Sequence, residues 1–290
     1  MSNPLRIRVI SDPRSIDPAQ MPAFICNACG TQYSPSEAPP AACPVCTDER
    51  QFVPASGQSW TTLEALRKTR SNKFRGLAPG LTTIETTPAF GIAQRAILVR
   101  TPAGNLLWDC IALIDDATVD LLKGLGGLAA IAISHPHYYT TMVEWSRALG
   151  GVPIYLHAAD REWVLRPDPA VRFWEGDTKL IAPRLTLIRL GGHFAGGTVL
   201  HWADWSEDRG VLLSGDILQV VPSGHVSFMW SYPNLIPLSA AKVQRMARIL
   251  EPYAFDAVYG AFSGRGQIDA NGKQVVAASV ARYITRISET

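Results

Sequence analysis

Downstream of residue 80 the chain alternates short apolar runs with polar turns, while upstream of it no such rhythm holds. The runs 81–87, 96–100 and 106–109 predict strands, the last two joined by a turn at Pro102-Ala103-Gly104-Asn105. Further strands are expected at 128–133, 154–156, 185–188, 198–201, 211–213 and 257–259. Helical patterns occupy 119–125, 142–149, 238–250 and 275–287, with Ala241, Met246 and Leu250 among the apolar positions of the third. Strands first, then strands alternating with helices, predict an α/β fold of packed sheets covered by helices. A short helix is expected at 61–68, where Thr61 can cap the first turn and Glu64 stands three residues on. Residues 71–80 read as a linker, and 1–22, with Asp12-Pro13 and Asp17-Pro18, as an irregular polar arm.

Of the 290 residues, 47% are hydrophobic and 18% charged, which suits one large core with a small appendage and argues against disorder. A formal net charge of +2 without a Lys/Arg block gives no footing for a phosphate backbone or an anionic membrane surface. No apolar run approaches the roughly 20 residues that span a bilayer, and residues 1–25 lack a basic stretch followed by an apolar one. The expected setting is the cytoplasm, with a small molecule as partner rather than nucleic acid or membrane.

Four of the five cysteines fall in two pairs, Cys26-x2-Cys29 and Cys43-x2-Cys46, separated by 13 residues. Each CxxC turn offers two thiolates to one tetrahedral ion, and paired turns in a reducing compartment point to zinc rather than disulfides. Gly30 follows the first pair and Pro44 lies inside the second, so the knuckle is similar to zinc ribbons and to rubredoxins, with Thr47 where a rubredoxin carries glycine. Four protein ligands close the site, which makes it structural. The fifth cysteine, Cys110, sits in apolar context and reads as a buried thiol.

The apolar run at 128–133 stops at Ser134-His135-Pro136-His137. In extended backbone the i, i+2 spacing puts both imidazoles on one side of the strand's C-terminal edge, where they can share an ion. His193 lies in the glycine-rich turn Gly191-Gly192-His193-Phe194-Ala195-Gly196-Gly197, and Asp216 ends the strand Leu212-Leu213-Ser214-Gly215. Each thus leaves a strand end, where a rigid sheet can hold a ligand still. His157 reads as a strand-end cap, His201 as a core histidine, and the aromatic stretch 225–234 as a wall for an apolar pocket.

The order Asp109, His135-x-His137, Gly192-His193, Gly215-Asp216 resembles the metallo-β-lactamase superfamily over about residues 81–290. The resemblance implies a four-layer αββα sandwich at 81–290, preceded by an arm and four-cysteine zinc knuckle at 1–50 and a helix and linker at 51–80. It implies His135, His137, His193 and Asp216 as metal ligands, and matches Trp108-Asp109-Cys110 to the family's aspartate at an early strand end. Against the family pattern H-x-H-x-D-H the chain reads His135-Pro136-His137-Tyr138-Tyr139-Thr140, and its late loop, 258–264, contains no histidine. The three losses fall on the family's second metal site, so one Zn2+ or Fe2+ is expected there, beside the structural Zn2+ of Cys26, Cys29, Cys43 and Cys46. The implied reaction is attack of a metal-bound hydroxide on an ester, thioester, lactone or amide. Asp109 and Tyr139 are the expected catalytic residues, with Tyr139 donating to the oxyanion or leaving group and Tyr138 packing. The rival readings are a mononuclear iron oxygenase of the same fold and a non-catalytic binding scaffold that docks through its knuckle.

Overall fold

The structure, a computed structural model, describes residues 21–288, and the arm expected over 1–22 lies outside it but for its last two residues. Seven strands form the first sheet in sequence order: β1 Ser71–Ala78, β2 Leu81–Thr87, β3 Ala96–Thr101, β4 Gly104–Trp108, β5 Ala130–Ala132, β6 Ile154–His157 and β7 Val171–Trp174. Pairing is antiparallel from β1 to β4 and parallel from β4 to β7. Parallel neighbours need a crossover, and the helices Asp116–Gly124 and Met142–Ala148 supply the first two. The second sheet runs β8 Thr178–Ala182, β9 Leu185–Arg189, β10 Thr198–Trp202, β11 Val211–Gly215 and β12 Ala257–Gly260. Only its last pair is parallel, bridged by the helix Ala240–Leu250, and the helix Gly272–Ser288 follows.

Alternation along the strands explains the layers. In β3, Ile97 and Val99 join a core between the sheets that includes Leu106, Leu187, Leu200, Leu213 and Tyr259. Their neighbours Ala96 and Leu98 point the other way, to a core shared with Leu122, Val143 and Trp145 of the crossover helices. The second sheet repeats the arrangement: Val199, Leu212 and Val258 face Val243, Met246 and Leu250 of the helix Ala240–Leu250 and Val276 of the helix Gly272–Ser288. Both faces of both sheets are covered, so the central strands read as continuous apolar runs and the chain is a four-layer αββα sandwich.

The linker expected at 71–80 is corrected by β1, whose only partner among the described residues is β2. Ser71, Lys73 and Arg75 are exposed while Asn72 and Phe74 are half-buried, and charges on an edge strand both protect it and hide its alternation. The short helix is Leu63–Arg67, capped by Thr62, whose Oγ1 accepts from Ala65 N at 3.3 Å. Thr61 is spent elsewhere, since Trp60–Thr61 pairs with Ile25–Cys26 and closes the knuckle as a ribbon. No described helix is long and apolar enough to cross a membrane.

Candidate metal centre

The knuckle brings four buried thiols together without a disulfide. Cys26 and Cys46 sulfurs lie 3.7 Å apart, as do those of Cys29 and Cys43. Four Zn–S bonds of about 2.3 Å enclose a tetrahedron with edges of about 3.8 Å, so the spacing fits an ion. Four thiolates cannot share this volume unaided: hydrogen bonds among them push Cys29 and Cys46 up and Cys26 and Cys43 down. A bound cation removes that conflict.

The second cluster is assembled from segments far apart in sequence. His135 follows β5, and a one-turn 3-10 helix, Pro136–Tyr138, carries His137. The two histidines are therefore not on one extended strand as expected; the tight turn brings their rings to 5.0 Å instead. His193 enters from the turn between β9 and β10, and Asp216 follows β11 directly. The potential ligand atoms of His135, His137, His193 and Asp216 all lie within 4.8 Å of one another, and all four residues are buried.

Neighbouring groups fix which nitrogens face inward. His193 Nδ1 donates to Trp230 O at 2.7 Å, leaving Nε2 3.3 Å from His137 Nδ1. His135 Nδ1 is 3.0 Å from Ser134 Oγ, and its Nε2 stands 3.2 Å from Asp216 Oδ1. An ion held by bonds of about 2.0–2.1 Å spans tetrahedral edges of about 3.3 Å, which these two distances match. His135 Nε2 and Asp216 Oδ1 are also buried with no hydrogen-bond partner, a costly condition that a shared cation relieves. Burial holds the imidazoles neutral, depressing His135 and His137 well below the usual range and His193 to about 4. Burial likewise raises Asp216 to about 7. The donor set suits a divalent metal, which binds neutral imidazole and attracts carboxylate charge.

Two members of the cluster, His137 and Asp216, line a cavity of about 620 Å3 together with Gln51, Phe52, Tyr232 and Arg265. Part of the stretch expected to wall a pocket does so, through Tyr232 and Pro233, with Leu235 just beyond it. His225 is bonded to Ser223 instead, away from the cluster. His157 caps its strand by accepting from Ala159 N at 3.1 Å, and His201 Nε2 donates to Ala254 O at 2.7 Å. Cys110 is fully buried, its thiol raised by burial to about 12.

No protein-family model matches the chain. The uncharacterized protein YmaE of Bacillus subtilis (strain 168) is 46% identical over 271 residues, covering 92% of this chain and 98% of that protein. The chain belongs to the YmaE family. Among solved structures, TMB-1 matches with a TM-score of 0.55 at 14% identity, covering 76% of this chain and 99% of that one. The metallo-β-lactamase DIM-1 matches with a TM-score of 0.57 at 12% identity over 75% of this chain and 98% of its own, so the fold is the metallo-β-lactamase fold. FIM-1 from Pseudomonas aeruginosa, solved in a mono-zinc form, gives 0.54 and 14% over 76% of this chain and 97% of its own. At these identities the likeness establishes the fold.

In this YmaE-family chain two expected catalytic residues sit elsewhere than the sequence suggested. Tyr139 turns into the core between the first sheet and its helices, and burial, with Asp160 next, pushes its phenol well up. Tyr138, expected to pack, lays its ring 4.5 Å from His135 and brings its buried, unpartnered hydroxyl toward Asp216. The 3-10 turn causes the exchange, because three residues per turn break the two-residue alternation of a strand. Asp109 lies behind the histidines: its Oδ1 accepts from Ser134 N at 2.7 Å, and burial raises its carboxyl to about 8. It thus steadies the residue whose hydroxyl meets His135, without lining the cavity. Gly215, at φ +56°, makes that packing feasible, since a Cβ there would come within 2.7 Å of Ser134 Oγ. Sequence reading missed Arg50 and Gln51, which reach the cluster from the knuckle; a contact between residues 143 and 86 positions apart leaves no local signal.

Proposed function

We propose that this protein is a hydrolase with one catalytic metal, acting on an ester, thioester, lactone or amide bond of a small molecule. One observation carries the reading: three neutral imidazoles and one carboxylate converge, partly unpartnered, and two of them, His137 and Asp216, reach a largely apolar cavity. The ligands would be His135, His137, His193 and Asp216, with zinc the ion this set suits and a structural zinc in the four-cysteine knuckle. A bound metal would supply Lewis acidity, lowering the pKa of a water and polarising a carbonyl. The mono-zinc FIM-1 structure shows the same fold carrying one ion. The chain's own residues do the rest. Ser134 and the Trp230 carbonyl fix the His135 and His193 rings. The Asp216 carboxylate, through the oxygen left free of the metal, would orient the attacking water and take its proton, and Phe52, Leu235 and Phe262 line the cavity. A cytoplasmic setting and a small-molecule substrate belong to the same proposal.

The test is a panel of chromogenic esters, thioesters, lactones and anilides with zinc-loaded protein. Hydrolysis that falls at least about a hundredfold in Asp216→Asn and His137→Ala is expected, on the scale of losing a metal centre's contribution. Turnover of none of the four classes, or turnover unchanged in both variants, overturns it.

A further inference from the structure

The knuckle does not stand apart from the histidine cluster. The segment leaving its last cysteine, residues 48–51, is laced into it. Asp48 grips Arg50 through two hydrogen bonds, Nε to Oδ1 at 2.6 Å and Nη2 to Oδ2 at 2.9 Å. So fixed, Arg50 donates from Nη1 to the His193 carbonyl at 3.3 Å and lays its guanidinium 3.8 Å from the centre of the Phe194 ring. Phe194 touches all three histidine rings, at centroid distances of 5.3, 4.9 and 5.1 Å to His135, His137 and His193. The next residue, Gln51, points its amide Nε2 at His137 Nδ1, 3.5 Å away. Glu49 O accepts from Ser231 Oγ and Asn234 Nδ2, both at 2.7 Å, tying the same segment to the loop whose Trp230 carbonyl orients His193.

The other side of the knuckle is equally close. Gln32 N donates to Thr140 O at 3.2 Å, bracing the turn that carries His137. Gly91, on the cavity wall, packs so tightly on the first CxxC turn that a Cβ would lie 3.2 Å from Cys29 C. Two of the three histidines therefore take their position partly from residues that the four-cysteine knuckle holds.

We propose that Arg50 is a positioning residue of the histidine metal site, and that the four-cysteine knuckle is a working wall of that site whose folding sets its metal affinity. The inference rests on the metal-site reading above. A free-standing docking module would leave its edge toward the site bare. Here that edge carries an arginine neutralised by Asp48, bonded to the His193 carbonyl and stacked on the Phe194 ring that packs against all three histidines, an arrangement that fixes ring orientation.

The experiment is a cobalt(II) titration of the full chain, because thiolate and imidazole sites give separable visible bands. Wild type is expected to bind two equivalents, one at sulfur and one at the histidines. In Arg50→Met the histidine-site affinity should fall about tenfold or more, with the thiolate bands and thermal midpoint unchanged. Cys46→Ser should lower it at least as far; should that variant fail to fold, Arg50→Met decides. Histidine-site affinity within twofold of wild type in Arg50→Met overturns the inference and leaves the metal site standing. A wild type that binds cobalt at sulfur alone overturns the metal-site reading and this inference with it.

Discussion

The two clusters solve one problem, holding a cation among buried groups, in opposite ways. The four-cysteine knuckle draws its ligands from 21 consecutive positions, and no core forms around it beyond Tyr33, Val45 and a few half-buried neighbours. Its folding and the binding of an ion there would be one event. The histidine cluster draws on residues 135 to 216, delivered by the ends of strands whose cores exist without any metal. The first is closed by four thiolates; the second faces a cavity. A closed local site stabilises the chain around it, whereas an open site on a preformed sheet can give up stability for chemistry.

That contrast is broken most sharply by exchanging the losses. Cys46→Ser should cost about 3 kcal/mol or more of folding stability, on the scale of losing a structural ligand. His137→Ala should cost about 1 kcal/mol or less, since it also relieves a crowded polar cluster, while abolishing metal binding at that site. Chemical denaturation of both variants measures the difference. Equal costs would erase the distinction between structural and functional metal.

The same contrast governs what could be read from the sequence. The knuckle was legible because CxxC spacing is local chemistry, and both pairs meet as expected at 3.7 Å. The apolar runs pointed to packed sheets covered by helices, and the family resemblance, carried by the order of Asp109, His135, His137, His193 and Asp216, implied both the αββα layers and the four residues that the structure brings together. What lay hidden was long-range or rotational. The turn at Pro136–Tyr138 replaces extended backbone with 3-10 geometry, so the tyrosine beside the ligands is Tyr138 rather than Tyr139. The charges of an exposed edge disguised β1 as a linker. Arg50 and Gln51 belong to a segment with no periodicity, and only the packed knuckle reveals what they touch.

A middle-sized effect sharpens the tyrosine correction. Tyr138→Phe removes a buried hydroxyl next to Asp216 and should change histidine-site metal affinity about three- to tenfold, the range of a lost supporting hydrogen bond. Tyr139→Phe should leave it unchanged. Isothermal titration with zinc on both variants decides, and the reverse ranking would restore Tyr139 to the site.

A pH-dependent effect concerns Asp160, which accepts from Gly196 N at 2.8 Å in the turn that carries His193. Burial raises its carboxyl to about 6 from an ordinary 3.8. The native state then holds a proton between about pH 4 and 6 that the unfolded chain has released, so this group's contribution is full below about pH 4 and is lost as pH rises through about 6. The loss amounts to at most about 3 kcal/mol. Asp160→Asn should flatten that slope and raise stability above about pH 6, read from denaturation midpoints between about pH 4 and 8. A slope as steep as wild type would contradict the assignment.

The most direct test of the whole account is the metal content of the purified chain beside that of His193→Ala. Two ions per chain are predicted in wild type and one in the variant, with all four thiols of the knuckle still protected from a thiol reagent. Three ions in wild type, or a count that His193→Ala leaves unchanged, would contradict a single metal held by His135, His137, His193 and Asp216.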